Sequence, residues 1–82
     1  MNAPFSKVYS RRSGLTLNLI GRKDAHTVWA IRVSDDTLHD YWHSELCHEE
    51  GANALLQEIA PLPLMRRKRA EAALAQAKGG AA

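Results

Sequence analysis

The sequence predicts an α+β fold in which short antiparallel β-strands, forming a hairpin or an intermolecular ribbon, precede two to three α-helices. Three observations carry this. Apolar residues alternate through residues 15–20 and 27–33, the period of half-buried strands. Past Ser34-Asp35-Asp36 the apolar spacing becomes three and four, with Leu38, Tyr41, Trp42 and Leu46 in one stripe, the period of a helix face. From Leu64 the chain is rich in alanine and other strong helix formers.

Taken in order, residues 1–4 include Pro4 and have no pattern, which predicts a frayed start. Phe5, Lys7 and Tyr9 share one side of a candidate edge strand, and Ser13-Gly14 reads as a turn. Leu15, Leu17 and Leu19 form the apolar face of the next strand, and residues 21–26 make a polar connection of hairpin length. Trp29, Ile31 and Val33 then face one way, with Val28, Ala30 and Arg32 facing the other. Ser34, Asp35, Asp36 and Thr37 are all capping residues, so a helix is expected to begin there and to end before Gly51. A second helix is expected over residues 52–60, with Asn53 near its start and Leu55, Leu56 and Ile59 on its buried face, broken by Pro61 and Pro63. The third, over residues 64–78, is a basic helix with few apolar anchors, stopped by Gly79-Gly80 and attached loosely, with residues 79–82 frayed.

With 82 residues the chain is one small domain, and a core this size is marginal alone, so a homodimer is expected. A single cysteine, Cys47, allows no intrachain disulfide and fits a reducing cytoplasm. No apolar run is long enough to span a bilayer and no leader pattern is present, so no membrane partner is expected.

The net charge of +2 conceals three blocks. Residues 1–33 carry six cations against one acid (+5), residues 34–60 seven acids and no Lys or Arg (−7), and residues 61–82 five cations against one acid (+4). Such segregation serves either self-neutralisation on folding or a basic face offered to a polyanion.

No catalytic signature emerges, and neither an enzyme nor a cofactor is expected. His39, His43 and Cys47 stand at helical spacings of four, but three ligands in one row span roughly 12 Å along a helix and cannot share an ion. A solvated helix edge with Cys47 as a small buried hydrophobe is the favoured reading, and no metal site is assigned. Arg66-Arg67-Lys68-Arg69 is a run of the kind that meets phosphates through charge. Trp29 and Trp42 both fall on faces expected to be buried.

Residues 30–33 as a strand, Ser34-Asp35-Asp36-Thr37-Leu38 as a helix start, Gly51-Ala52-Asn53 as a turn and Leu55, Leu56 and Ile59 as a second helix core resemble the ribbon-helix-helix family of DNA-binding regulators and antitoxins. The resemblance covers about residues 28–60. It implies that two chains pair their strands into a ribbon entering the major groove, with Val28, Ala30 and Arg32 toward DNA, Ile31 and Val33 in the dimer core, and Asn53 near the backbone. Without the resemblance, residues 27–33 pair with residues 15–20 of the same chain.

The expected function is therefore a small cytoplasmic DNA-binding regulator, dimeric, with Arg22, Lys23, Arg32 and the run Arg66, Arg67, Lys68 and Arg69 meeting nucleic acid. The alternative is a phage- or plasmid-type accessory protein with a monomeric β-meander plus helices that binds a host protein.

Overall fold

A computed structural model describes residues 6–48 and 62–79. Its described elements are five strands, β1 (Ser6–Ser10), β2 (Thr16–Arg22), β3 (Thr27–Arg32), β4 (Thr37–Trp42) and β5 (Leu46–His48), a 3-10 turn over His43–Glu45 between β4 and β5, and one helix, α1 (Arg67–Gly79). All strand pairs are antiparallel and their order across the sheet is β4-β3-β2-β1-β5.

This order forces the sheet to curl. In a flat sheet β4 and β5 would lie four inter-strand spacings apart, about 19 Å. Trp42 and Leu46 are joined through only the three residues of the 3-10 turn, a stretch that reaches at most roughly 14 Å. The two edges must therefore approach each other. The core confirms it: Leu46 of β5 and Tyr41 of β4 pack in one cluster with Val8, Leu17, Leu19, Val28 and Ala30. A bulge helps, because the β2–β3 register slips between Leu19 and Gly21, and an extra residue increases local twist.

The opposite face of the sheet is covered by α1. Ile20, Trp29, Ile31 and Ala70 form its buried centre, with Leu38, Met65, Ala73 and Leu74 packed round them. Ala70 has no exposed surface, and so small a side chain lets the helix sit close to the strands. Alternate residues of β3 thus serve two cores, Val28 and Ala30 the curled face and Trp29 and Ile31 the helical one.

The chain enters α1 along the end of β2. Arg22 donates its backbone N–H to the Pro63 carbonyl at 2.7 Å, and the Met65 N–H reaches the Arg22 carbonyl at 2.7 Å, a short parallel bridge centred on Leu64. Three residues of the entry segment are therefore tied to the sheet before the helix begins.

The expected arrangement of a short ribbon followed by two to three helices is corrected by this sheet. Residues 37–42, expected in the first helix, form β4. Leu38, Tyr41 and Trp42 fit helical spacing, yet Thr37, His39 and Tyr41 also alternate with Leu38, Asp40 and Trp42, and pairing with β3 decides between the periods. The acidic cluster before them caps no helix. Asp36 takes a positive φ of 57°, which Asp tolerates better than most residues, and its N–H bonds the Arg32 carbonyl at 2.8 Å. The side chain of Asp35 accepts from the Thr37 N–H at 3.3 Å and hydroxyl at 2.6 Å. Caps and turns use the same local carboxylate-to-backbone chemistry, and here it closes a hairpin.

The hairpin between residues 15–20 and 27–33 is present as β2 and β3. β3 also pairs with β4 along its length, so the strand expected to form an intermolecular ribbon has both edges paired within its own chain. The expected helix over residues 52–60, with Asn53, lies outside the described residues. The basic helix expected over residues 64–78 corresponds to α1, which starts three residues later.

Candidate nucleic-acid interface

Trp29 is the residue on which distant parts of the chain converge. It is 3% exposed, and its indole Nε1 donates to the Met65 carbonyl at 3.1 Å, which satisfies the one polar atom of a buried ring. Two cations flank the ring: Lys23 Nζ lies 5.1 Å and the Arg67 guanidinium carbon 5.5 Å from its centroid, both within cation–π range.

Local sequence places each group. Lys23 follows β2 in a turn organised by Asp24, whose Oδ1 accepts the N–H groups of His26 at 2.8 Å and Thr27 at 2.9 Å. Those bonds, that from His26 foremost, hold the Asp24 carboxyl below its ordinary range. Lys23 also bonds Asp40 Oδ2 at 2.7 Å, and Asp40 stands directly across from Trp29 in the β3–β4 register. The Lys23 bond is the main reason that the Asp40 carboxyl is lowered. Arg66 and Arg67 arrive from the entry segment that the Arg22 backbone bonds fasten.

Lys23, Trp29, Leu64, Met65, Arg66 and Arg67 line an open cleft of about 470 Å³. Half of those six residues are cations, so its rim favours an anion. Arg67 bonds Glu71 at 2.9 Å on the exposed face of the helix, a kind of pair worth only about 0.3–0.5 kcal/mol. Arg66 has no carboxylate partner among the described residues. Taken together, the described residues hold eleven Lys and Arg against six Asp and Glu, a balance of +5.

The first turn of α1 carries Arg67, Lys68 and Arg69 and no acidic residue. Cations at the positive end of a helix dipole are unfavourable by roughly 0.3–1 kcal/mol each, so this arrangement is costly for the free protein. Lys68 and Arg69 are exposed. Lys68 lies roughly 160° round the helix from the buried Ala70, on the outward side.

Trp42, expected in the core, is 53% exposed. Its partner across the sheet is Thr27, so it shares a face with Trp29 and follows Asp40 by two residues on β4. The alternation of Leu38, Asp40 and Trp42 is the one signal that could have placed it there, and the helical reading hid it.

Other expected contacts are distributed differently. Val28 and Ala30, which the ribbon would turn toward DNA, have no exposed surface and belong to the curled core. Arg32 stands at the far end of β3, its Nε and Nη2 bonded to the two Asp35 oxygens at 3.1 and 2.5 Å. Its fork is occupied. Arg22 is half-buried at the end of β2, beside the cleft's entry segment. Asn53 lies outside the described residues.

Among the described residues no group of three or more His, Cys, Asp or Glu could hold a metal ion. The row of His39, His43 and Cys47 required a helix that β4 and the 3-10 turn replace. His39 bonds the Thr37 hydroxyl at 2.7 Å, His43 is pushed below its ordinary pKa by burial, and Cys47 is fully buried.

Comparison with protein-family models, with curated proteins and with solved structures found no match to this chain.

Proposed function

We propose that this chain is a small DNA-binding protein that meets phosphates with the cations gathered round Trp29. The observation that supports the reading best is convergence: Lys23 from the β2–β3 turn and Arg66 and Arg67 from the entry to α1 meet on one open cleft. Lys68 and Arg69 extend the same charge along the first helical turn. Phosphate contacts position a protein through charge and release counterions, and Arg forks suit phosphate oxygens particularly well. A bound phosphate would also relieve the unfavourable meeting of three cations with the helix dipole.

This reading needs no strand ribbon. Arg32 is not among its contacts, and binding runs through the face that α1 shares with the sheet. A reducing cytoplasm is the compartment that suits the single buried thiol of Cys47. Among the described residues no helix is long and apolar enough to cross a membrane.

The test is anisotropy with labelled oligonucleotides between low and moderate salt. Affinity is expected to fall linearly on a log–log plot, and the double variant R66E/R67E to bind at least tenfold more weakly with a shallower slope. The variant R11E/R12E, altered in the β1–β2 turn at the opposite end of β2, should lose much less. Absence of binding at low salt, or equal losses from both double variants, would overturn the reading.

A further inference from the structure

The exposed indole of Trp42 has no part in the core and none in the cleft. It stands on the same sheet face as Trp29, one pleat beyond Asp40 on β4, roughly 7 Å along the strand. Asp40 is bonded to Lys23, the first cation of the cleft rim. An exposed aromatic surface and a cationic cleft therefore lie side by side on one face. At the cleft itself Leu64 is 59% exposed, an apolar surface beside Arg66.

Charge alone would serve any polyanion. A half-exposed tryptophan next to that charge narrows the choice, because stacking requires a base whose π-face is free. In a duplex those faces are covered by neighbouring base pairs, whereas a single strand can turn a base out onto the ring while its phosphates follow the cations. The ring of Trp29 cannot play this part, since it is buried and flanked by Lys23 and Arg67. Trp42 can.

We propose that the preferred ligand of this face is single-stranded DNA, with one base stacked on Trp42 and its neighbouring phosphates on Lys23, Arg66 and Arg67. The inference rests on the DNA-binding reading given above and specifies the form of nucleic acid. Stacking on one aromatic side chain is worth roughly 1–3 kcal/mol per base, which corresponds to about 5- to 150-fold in affinity.

The experiment compares a thymidine single strand with a duplex of equal length, for the wild type, Trp42→Ala, Trp42→Phe and R66E/R67E, at one low salt concentration. Circular dichroism and urea midpoints of each variant establish that it folds, which is expected for Trp42 because the position is exposed. The single strand should bind at least tenfold more tightly than the duplex. Trp42→Ala should lose at least fivefold on the single strand and little on the duplex, and Trp42→Phe should recover most of that loss. Tryptophan fluorescence should be quenched on adding the single strand, and the quenching should vanish in Trp42→Ala, which retains Trp29. Equal affinity for both forms, or wild-type affinity of Trp42→Ala for the single strand, would overturn this inference. If R66E/R67E still weakens binding in that case, the charge-based reading survives it. Failure of every protein to bind either form would overturn both.

Discussion

Gly21 lies directly beneath Met65: a Cβ placed on Gly21 would stand 2.7 Å from the Met65 sulfur and 3.0 Å from the Pro63 carbonyl oxygen. Gly21 faces Trp29 in the β2–β3 register, so the missing side chain is what lets the entry segment cross close enough for Met65 to accept from the Trp29 indole. The cleft thus depends on a residue that takes no part in lining it.

Gly21→Ala should therefore destabilise the protein. The methionine end can swing away, but the Pro63 carbonyl belongs to a segment held by two backbone bonds to Arg22. Overpacking of this kind costs roughly 1–3 kcal/mol, and Gly21→Val should cost more. Urea midpoints measure the effect. Hydrogen exchange should show faster exchange concentrated in α1 and at Met65, and unchanged exchange there would mean that the crossing is looser than the geometry indicates.

Asp35 joins Arg32 to Thr37 at the β3–β4 turn, and its titration should contribute to the acid sensitivity of the hairpin. Hydrogen bonding from Arg32, then from Thr37, holds its carboxyl far below the ordinary value of 3.8. Asp24 and Asp40 are lowered as well, through the His26 backbone and Lys23 respectively. A carboxyl whose folded pKa is depressed contributes stability above its unfolded pKa and loses it as pH falls toward the folded one. Stability should accordingly be flat near neutrality and decline below about pH 5. Asp35→Asn keeps an oxygen for the Thr37 N–H but loses the charge that holds Arg32. Its urea midpoint should lie below wild type at pH 7 and approach it by pH 2, so the acid decline is shallower. Parallel curves over that range would show that the Arg32–Asp35 pair contributes nothing.

How much of this was legible in the sequence follows from which contacts are local. The β2–β3 hairpin was legible because Leu17 and Leu19, and Trp29 and Ile31, alternate cleanly, and one short polar turn joins their strands. The basic helix was legible from its alanines. The β4 strand was not, because residues 37–42 satisfy both periods and the choice belongs to their partner β3. Pairing of Tyr9 with Cys47 joins neighbouring strands that lie 38 residues apart in the chain, and no local signal announces it. For the site, Lys23 and Arg66 to Arg69 were visible as charge. The meeting of Lys23, Arg66 and Arg67 round Trp29 was not, since it depends on backbone bonds between Arg22 and residues 63–65. The exposed position of Trp42 was lost with the helical reading of β4.

Lys68 and Arg69 offer a measurable conflict between stability and binding. Both are exposed in the first turn of α1, where no acidic residue balances the dipole. Replacing both with Glu reverses the charge at the positive end of the helix, where each favourable charge contributes about 0.3–1 kcal/mol. The free K68E/R69E protein should therefore unfold at higher urea than wild type, by an amount equivalent to about 1 kcal/mol, and the gain should shrink in salt. On the proposed function, the same variant should bind DNA more weakly and with a smaller salt slope, because two cations of the first helical turn have become repulsive. Opposite signs in the two measurements would mean that the basic first turn is maintained for a ligand at the expense of the free fold. A variant that loses stability and keeps its affinity would show that Lys68 and Arg69 belong to the fold.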